Sequence, residues 1–283
     1  MALKTVGIVG SGIMGTGIAE VAAAAGHEVV LRSRSQSSAD GMLAGLEKSL
    51  NRQVEKEKRT AAERDEILKR VSVTTDLERL AEVDLVIESV VEDLGVKRHL
   101  FTELDRVCAE RTIIATNTST LPVVELAMET GRPDRVCGIH FFNPAPAMAL
   151  VEVVRPITAS DDTMATAVAF AEACGKEPVV VKDQAGFIVN ALLFPYLNNA
   201  VRLLEQGVAD KEGIDAAMKG GCGFPMGPFA LLDLVGLDTS LAILDALYQE
   251  FREPNYAAVP LLRRMVAAET LGRKSGRGFY DYR

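Results

Sequence analysis

The sequence predicts an α/β chain: a doubly wound, mostly parallel sheet over residues 1–184, followed by an all-α domain over residues 185–283. Three observations carry this expectation. Short β-branched runs alternate with longer helical patterns through the first part of the chain, the order that builds parallel strands covered by helices. A glycine-rich turn stands between the first apolar run and the first helical pattern. After Asp183 the β pattern stops, and the remainder reads as helices punctuated by Gly207, Gly220-Gly221, Pro225 and Gly227-Pro228. With 283 residues, 48% hydrophobic and 25% charged, the chain is long enough for two cores, and the boundary is placed near Gln184.

Strands are expected at 5–9, 29–31, 71–74, 85–88, 113–116, 136–140, 151–154 and 179–181, with helices filling most of the gaps. Ser160 followed by Asp161 and Asp162 has the form of an N-cap with acid in the first turn, opening a helix that stops near Gly175. Residues 47–70 carry two charged patterns, E-K-S-L-N-R-Q-V-E-K-E-K-R and A-E-R-D-E-I-L-K-R, and are expected to form a helical hairpin inserted between strands. A solvated surface is the plain account of such a hairpin. No internal repeat or low-complexity tract is visible.

Composition removes several function classes. A net charge of -8 argues against a nucleic-acid surface, which needs clustered positive charge over one face. No apolar run approaches the roughly 20 residues that a membrane span needs. Met-Ala-Leu-Lys leads straight into the apolar stretch Val6 to Val9, so no secretory signal is expected. The four cysteines, Cys108, Cys137, Cys174 and Cys222, lie far apart without a C-x-x-C pair. They suggest neither a metal site nor a disulfide framework, and reduced thiols place the chain in a cytoplasm. Three histidines are present, so each can be weighed for proton transfer.

Gly10-Ser11-Gly12-Ile13-Met14-Gly15 follows an apolar strand and opens a helix reaching Gly26, after which a second strand begins. That context makes it a dinucleotide-binding turn of the Rossmann-like kind. Gly10 permits the tight turn, Gly12 lets the backbone approach a pyrophosphate, and Gly15 lets helix and strand pack closely. The phosphates would sit on the helix N-terminus, where unpaired amides and the dipole favour negative charge.

Ligands of such sheets bind at the carboxyl edge of the strands. Three stretches put polar residues there: Asn117-Thr118-Ser119-Thr120, His140-Phe141-Phe142-Asn143-Pro144 and Val151-Glu152-Val153-Val154. His140 ends an apolar strand, whereas His27 starts one and His99 falls on a charged helix surface, so His140 is the preferred acid/base. A hydrogen-bonded core histidine would look the same in sequence. Glu152, in the next strand, could orient the imidazole and stabilise its charged form, or could point to solvent. Asn190 lies on the apolar stripe Phe194, Leu197, Val201 and Leu204, where an amide serves either catalysis or an interhelical hydrogen bond.

The ordered set G-S-G-I-M-G-T-G-I-A, V-I-E-S-V-V-E-D, N-T-S-T, H-F-F-N-P, a glutamate after that histidine, G-F-I-V-N, P-M-G-P-F and K-S-G-R-G-F-Y resembles the L-3-hydroxyacyl-CoA dehydrogenases along essentially the whole chain. The length is similar to the short form of that family, without an appended hydratase domain. The resemblance implies interconversion of 3-oxoacyl-CoA, acetoacetyl-CoA included, with (S)-3-hydroxyacyl-CoA by hydride transfer. It implies a catalytic set of Ser119, His140, Glu152 and Asn190, and nicotinamide-side contacts from Glu92, Lys97, Asn143 and Lys274, with Asn117 and Ser119 also at the cofactor edge. It also implies coenzyme A contacts from Ser49 and Lys56, which would give the charged hairpin a basic rim for CoA phosphates. Thr120 stands where a serine is usual and keeps the hydroxyl. A homodimer is implied as well, with apolar stripes such as Ala230, Leu231, Leu234 and Leu237 to Leu241 available for burial between subunits.

The chain departs from the family at one diagnostic place. NAD-binding proteins carry an acid about 20 residues past the glycine turn, at the end of the second strand, to accept bonds from the adenosine ribose. Here the segment reads Leu31-Arg32-Ser33-Arg34-Ser35, with Ser33 where the family has the acid. Without that carboxylate a 2′-phosphate is no longer repelled, and Ser33 with Arg34 and Arg32 can bind it. NADP(H) is therefore the expected cofactor, with NAD(H) as the alternative if the segment is only a solvated loop. Two other functions share these features: a dehydrogenase of a free hydroxy acid such as a sugar acid, and a catalytically silent cofactor-binding protein.

Overall fold

The computed structural model describes residues 3–283, in a first unit ending at Asp183 and a second running Gln184–Arg283. The first unit runs β1 (Thr5–Val9), α1 (Ile13–Ala24), β2 (Glu28–Arg32), α2 (Gln36–Glu55), α3 (Ala61–Lys69), β3 (Val71–Thr74), β4 (Leu85–Glu88), α4 (Leu94–Val107), β5 (Ile113–Thr116), α5 (Val123–Ala127), β6 (Val136–Phe141), β7 (Leu150–Arg155), α6 (Asp161–Ala173) and β8 (Glu177–Lys182). The strands form one sheet in the order β3-β2-β1-β4-β5-β6-β7-β8. Every neighbouring pair is parallel except β6 and β7.

Each expected strand is present. The strand order reverses direction between β1 and β4, which opens a crevice beyond their carboxyl ends, where ligands of this architecture bind. β4 and β5 are buried along their whole length because helices cover both faces of the sheet, which is why they read as unbroken apolar runs rather than alternating ones. The core joins Ile8 of β1, Ile18 of α1, Leu31 of β2 and Ile87 of β4 to Met42, Leu46 and Leu50 of α2.

The charged hairpin differs from expectation at its start. Its first helix does not begin near residue 47 but at Gln36, with Ser35 as N-cap accepting the Ser38 N–H. Met42, Leu46 and Leu50 recur every four residues and bury one stripe against the sheet unit, and this amphipathic face extends the helix back to the end of β2. Thr60 and Glu63 form a reciprocal capping box that opens α3.

The second unit consists of α7 (Val189–Glu205), α8 (Lys211–Cys222), α9 (Pro228–Val235), α10 (Leu237–Phe251) and α11 (Pro260–Ala267), with a short 3₁₀ turn before α11 and another after it. Phe194, Leu197 and Val201 of α7 pack with Phe229 and Leu232 of α9, Leu244 and Leu247 of α10 and Leu262 of α11. Two buried carboxylates hold its turns. Asp215 accepts the Phe229 N–H and the Tyr280 hydroxyl, and Asp233 accepts the N–H groups of Phe279 and Tyr280. The motifs P-M-G-P-F and K-S-G-R-G-F-Y are the segments these carboxylates grip. Among the described residues no helix is long and apolar enough to cross a membrane.

Candidate active site

The glycine turn closes the gap between β1 and α1 at the sheet's crevice. Gly10 adopts φ +135°, and a Cβ there would stand 2.1 Å from the Ser89 carbonyl oxygen beyond β4, so only glycine fits. A Cβ on Gly15 would meet the Gly10 carbonyl oxygen at 2.3 Å, which fixes how tightly α1 seats on β1. Gly12, by contrast, has nothing within 4 Å of the place its Cβ would fill. It is the N-cap of α1, whose first turn carries no acid. The turn therefore leaves space, free amides and a favourable dipole at one point, which fits a dinucleotide pyrophosphate.

His140 and Glu152 face each other across the antiparallel β6–β7 pair. The imidazole Nδ1 lies 2.8 Å from Glu152 Oε2, and Nε2 lies 3.1 Å from Ser119 Oγ. His140 is 4% exposed and Glu152 0%, so the carboxylate is held inside the sheet and does not point to solvent. An acceptor on Nδ1 selects the tautomer that donates there and leaves Nε2 to receive the Ser119 hydroxyl. Phe142 covers the imidazole, with ring centroids 4.6 Å apart. Asn117 Oδ1 accepts the Phe141 N–H at 2.8 Å, tying the end of β5 to the end of β6 beside the histidine.

Ser119 owes its place to Glu92. One oxygen of that carboxylate accepts the N–H groups of Ser119 and Thr120 and the Thr118 hydroxyl. The other lies 3.3 Å from Lys97 Nζ, which in turn sits 2.6 Å from Glu88 Oε1. Lys97 is 1% exposed and Glu88 0%, so this lysine is committed inside the protein. Glu88, within the V-I-E-S-V-V-E-D motif, is a residue of this cluster that the sequence does not single out. A glutamate ending an otherwise apolar strand, followed by a lysine in the next helix, is the signal that would have found it.

At the end of β2 the Gly10 N–H donates to the Arg32 carbonyl and the Ser33 N–H to the Thr74 carbonyl, so the segment 32–34 borders the glycine turn. Ser33 is buried, and among the described residues its Oγ and Arg32 Nε have no hydrogen-bond partner. Arg34 is exposed. Burial first, and then the charge of Arg34, pulls the Arg32 guanidinium below its ordinary range. Ser11, Gly12, Ile13 and Asn143 are exposed, and Met14 is partly covered.

Ser49 lies on α2, and the exposed Lys56 caps its C-terminus. In the second unit Asn190 is buried in the first turn of α7, and Lys274 Nζ lies 2.6 Å from the Asp238 carboxylate. Among the described residues no group of three or more His, Cys, Asp or Glu side chains could hold a metal ion.

Residues 5–184 match the model of the 3-hydroxyacyl-CoA dehydrogenase NAD binding domain, and residues 186–282 match the 3-hydroxyacyl-CoA dehydrogenase C-terminal domain. The chain is 50% identical to a 3-hydroxybutyryl-CoA dehydrogenase of Clostridioides difficile over 97% of its own length and 98% of that protein. It is 45% identical to the human mitochondrial hydroxyacyl-coenzyme A dehydrogenase over 99% of its length and 92% of that protein. Its structure superposes on the crystal structure of (S)-3-hydroxybutyryl-CoA dehydrogenase from Ralstonia eutropha with a TM-score of 0.97 and 44% identity, covering 100% of both chains.

Proposed function

The chain belongs to the 3-hydroxyacyl-CoA dehydrogenase family, and we propose that it interconverts acetoacetyl-CoA, or another 3-oxoacyl-CoA, with the (S)-3-hydroxyacyl-CoA, using NADP(H) in preference to NAD(H). The Ser119, His140 and Glu152 relay carries this assignment: a hydroxyl, an imidazole and a buried carboxylate in hydrogen-bond contact at the carboxyl edge of the sheet. When bound, the nicotinamide supplies or accepts the hydride at its C4. In the reducing direction protonated His140 donates from Nε2 to the C3 oxygen, and in the oxidising direction the neutral imidazole takes that proton back. Such transfer contributes about 10²- to 10⁴-fold in rate. Glu152, opposite Nδ1, fixes the tautomer and stabilises the imidazolium that the reaction needs. Ser119 hydrogen-bonds the C3 oxygen and shares the charge that develops there.

Asn190 is assigned to the same oxygen by the family motif and by the placement of a buried amide on an apolar helix face. Glu92, Lys97, Asn143 and Lys274 are assigned to the nicotinamide side by the family motif, with Asn117 at the same cofactor edge; the Lys97 ammonium lies 3.3 Å from the Glu92 carboxylate. Ser49 and Lys56 are proposed to hold coenzyme A phosphates, since an acidic chain needs a local basic rim for such a substrate. A homodimer is proposed on the family motif; of the apolar stripe expected between subunits Leu234 is 49% exposed, whereas Leu237 is buried in the second unit's own core and Leu231 and Leu241 pack against it. Steady-state rates with acetoacetyl-CoA and with free acetoacetate, each with NADPH and NADH, test the assignment. Saturation by acetoacetyl-CoA alone, weakened in Lys56→Ala, supports it. Preferential turnover of the free acid would replace it with a hydroxy-acid dehydrogenase.

A further inference from the structure

We propose that Glu20 of α1 and Gln53 of α2 are positioning residues for the acyl-CoA substrate: with Arg59 they latch the last turn of α2 onto α1 and so set Ser49 and Lys56 where the phosphates of CoA bind. The proposal rests on the assignment of Ser49 and Lys56 to CoA.

The apolar stripe that seats α2 ends early. Met42, Leu46 and Leu50 are buried, and Leu50 is the last buried residue of a helix that runs on to Glu55. The next position on that face is Gln53, an amide. Opposite it stands Glu20, a carboxylate on α1 that is 2% exposed. Gln53 Nε2 donates to Glu20 Oε1 at 2.6 Å. Taking a donor from a buried carboxylate is costly, so this bond fixes where Gln53 stands.

The other end of the same amide organises the turn that Lys56 caps. Gln53 Oε1 accepts Arg59 Nε at 2.9 Å, and the Gln53 carbonyl accepts the Lys58 N–H. The Glu57 N–H donates to the Val54 carbonyl, and Glu57 takes φ +56°, a left-handed conformation that glycine adopts more readily at a helix end. These two backbone bonds make a Schellman closure with Lys56 at the C-cap. Because glutamate replaces the usual glycine, the closure needs support, which Gln53 and Arg59 supply. Gln53 Nε2 also lies 3.5 Å from the Ser49 carbonyl. One amide thus touches the surroundings of both residues assigned to CoA and fastens them to α1. Stability alone does not account for it, since apolar residues at both positions would continue the stripe at little or no cost. A satisfied polar pair adds a fixed rotamer and register.

The test uses the full chain with NADPH and compares acetoacetyl-CoA with acetoacetyl-pantetheine, which carries the same thioester without the nucleotide phosphates. The variants are Gln53→Leu, the double variant Glu20→Gln with Gln53→Glu, and Lys56→Ala. In Gln53→Leu the KM for acetoacetyl-CoA should rise about 3- to 10-fold, the worth of one or two exposed ion contacts. Its kcat, its NADPH Kd and its KM for acetoacetyl-pantetheine should stay within about twofold of native, although its melting temperature falls as Glu20 loses its donor. The double variant inverts the pair, with the amide on α1 and the carboxylate on α2 facing Arg59. Its KM for acetoacetyl-CoA should return to within about twofold of native.

An unchanged KM for acetoacetyl-CoA in Gln53→Leu overturns the proposal. So does a rise shared equally by acetoacetyl-pantetheine, which would make the latch a general element of stability. A double variant that melts like the native enzyme yet keeps the raised KM overturns it too. Lys56→Ala separates the latch from the reading beneath it. If that variant leaves the ratio of the two KM values native, the CoA assignment has failed and the latch with it; if it shifts the ratio while Gln53→Leu does not, the latch alone has failed.

Discussion

Replacing Ser33 with aspartate should turn the cofactor preference over, and the size of the change follows from the geometry. Ser33 follows β2, with its N–H bonded to Thr74 and its Oγ buried without a partner among the described residues. Arg32 ties the same segment to the glycine turn through the Gly10 N–H. A carboxylate at about 4 Å from a 2′-phosphate is opposed by about 4 kcal/mol per unit charge pair at an effective dielectric of 20. The exposed Arg34 shows that solvent reaches the segment, and halving the figure for screening leaves about 2 kcal/mol, a factor of about 30 against NADPH. For NADH the carboxylate gains charge-assisted bonds from the ribose hydroxyls, about 1.5–3 kcal/mol or roughly 10- to 100-fold. The NADPH-to-NADH ratio of kcat/KM should therefore fall by about 10³ in Ser33→Asp, the product of the two factors at mid-range. Arg34→Ala should weaken NADPH alone and flatten the salt dependence of its KM. The assay is kcat/KM for each cofactor at saturating acetoacetyl-CoA and two ionic strengths. Equal or better efficiency with NADH in the native enzyme, or an unchanged ratio in Ser33→Asp, would refute the reasoning.

Three further outcomes are expected. Glu152→Gln keeps the shape of the 0%-exposed side chain but removes the charge that stabilises the imidazolium, so kcat should drop by about 10² or more with little change in NADPH Kd; a loss of cofactor affinity equal to the loss of rate would contradict that role. Gly10→Ala places a Cβ 2.1 Å from the Ser89 carbonyl at φ +135°, so the variant should lose NADPH binding and melt at lower temperature, as read by fluorescence titration and thermal unfolding; unchanged binding would mean the turn adapts. Burial, the main cause, holds His27 below its ordinary value of 6.5, outweighing the bond to the Leu3 carbonyl and the nearby Asp84 charge. The unfolded chain therefore binds the proton more readily than the native one, so this stability is fully present above that value and is lost as pH falls through it toward the lower native pKa. Urea midpoints at about pH 7.5 and about pH 5.5 should separate less in His27→Asn, which keeps a donor toward Leu3, than in the native chain; an equal separation would remove His27 as a cause.

The centre of the sheet was legible because its strands are buried on both faces and appear as compact apolar runs between glycine and helix signals, as at 85–88 and 113–116. The glycine turn was legible because Gly10 and Gly15 answer separate steric demands of the fold, while Gly12 leaves open space at the N-cap of α1. Less was visible where the signal lies in three dimensions. The antiparallel turn from β6 to β7, which puts Glu152 opposite His140, has no local mark in a sequence that otherwise repeats strand, helix, strand. Sequence could put the glutamate in the neighbouring strand but left its direction open, and the register settled it. The extension of α2 back to Gln36 was hidden because its apolar stripe is thin among serines and charged residues. Glu88 read as the last residue of a strand, and only the packing of α4 over that strand shows the carboxylate paired with Lys97.

The relay at His140 is tested most directly by single-turnover kinetics of His140→Gln under saturating NADPH and acetoacetyl-CoA, with cofactor binding measured in the same preparation. NADPH should bind with nearly native Kd, while its oxidation slows by about 10²- to 10⁴-fold. Hydride transfer at a near-native rate in that variant would contradict His140 as the acid/base.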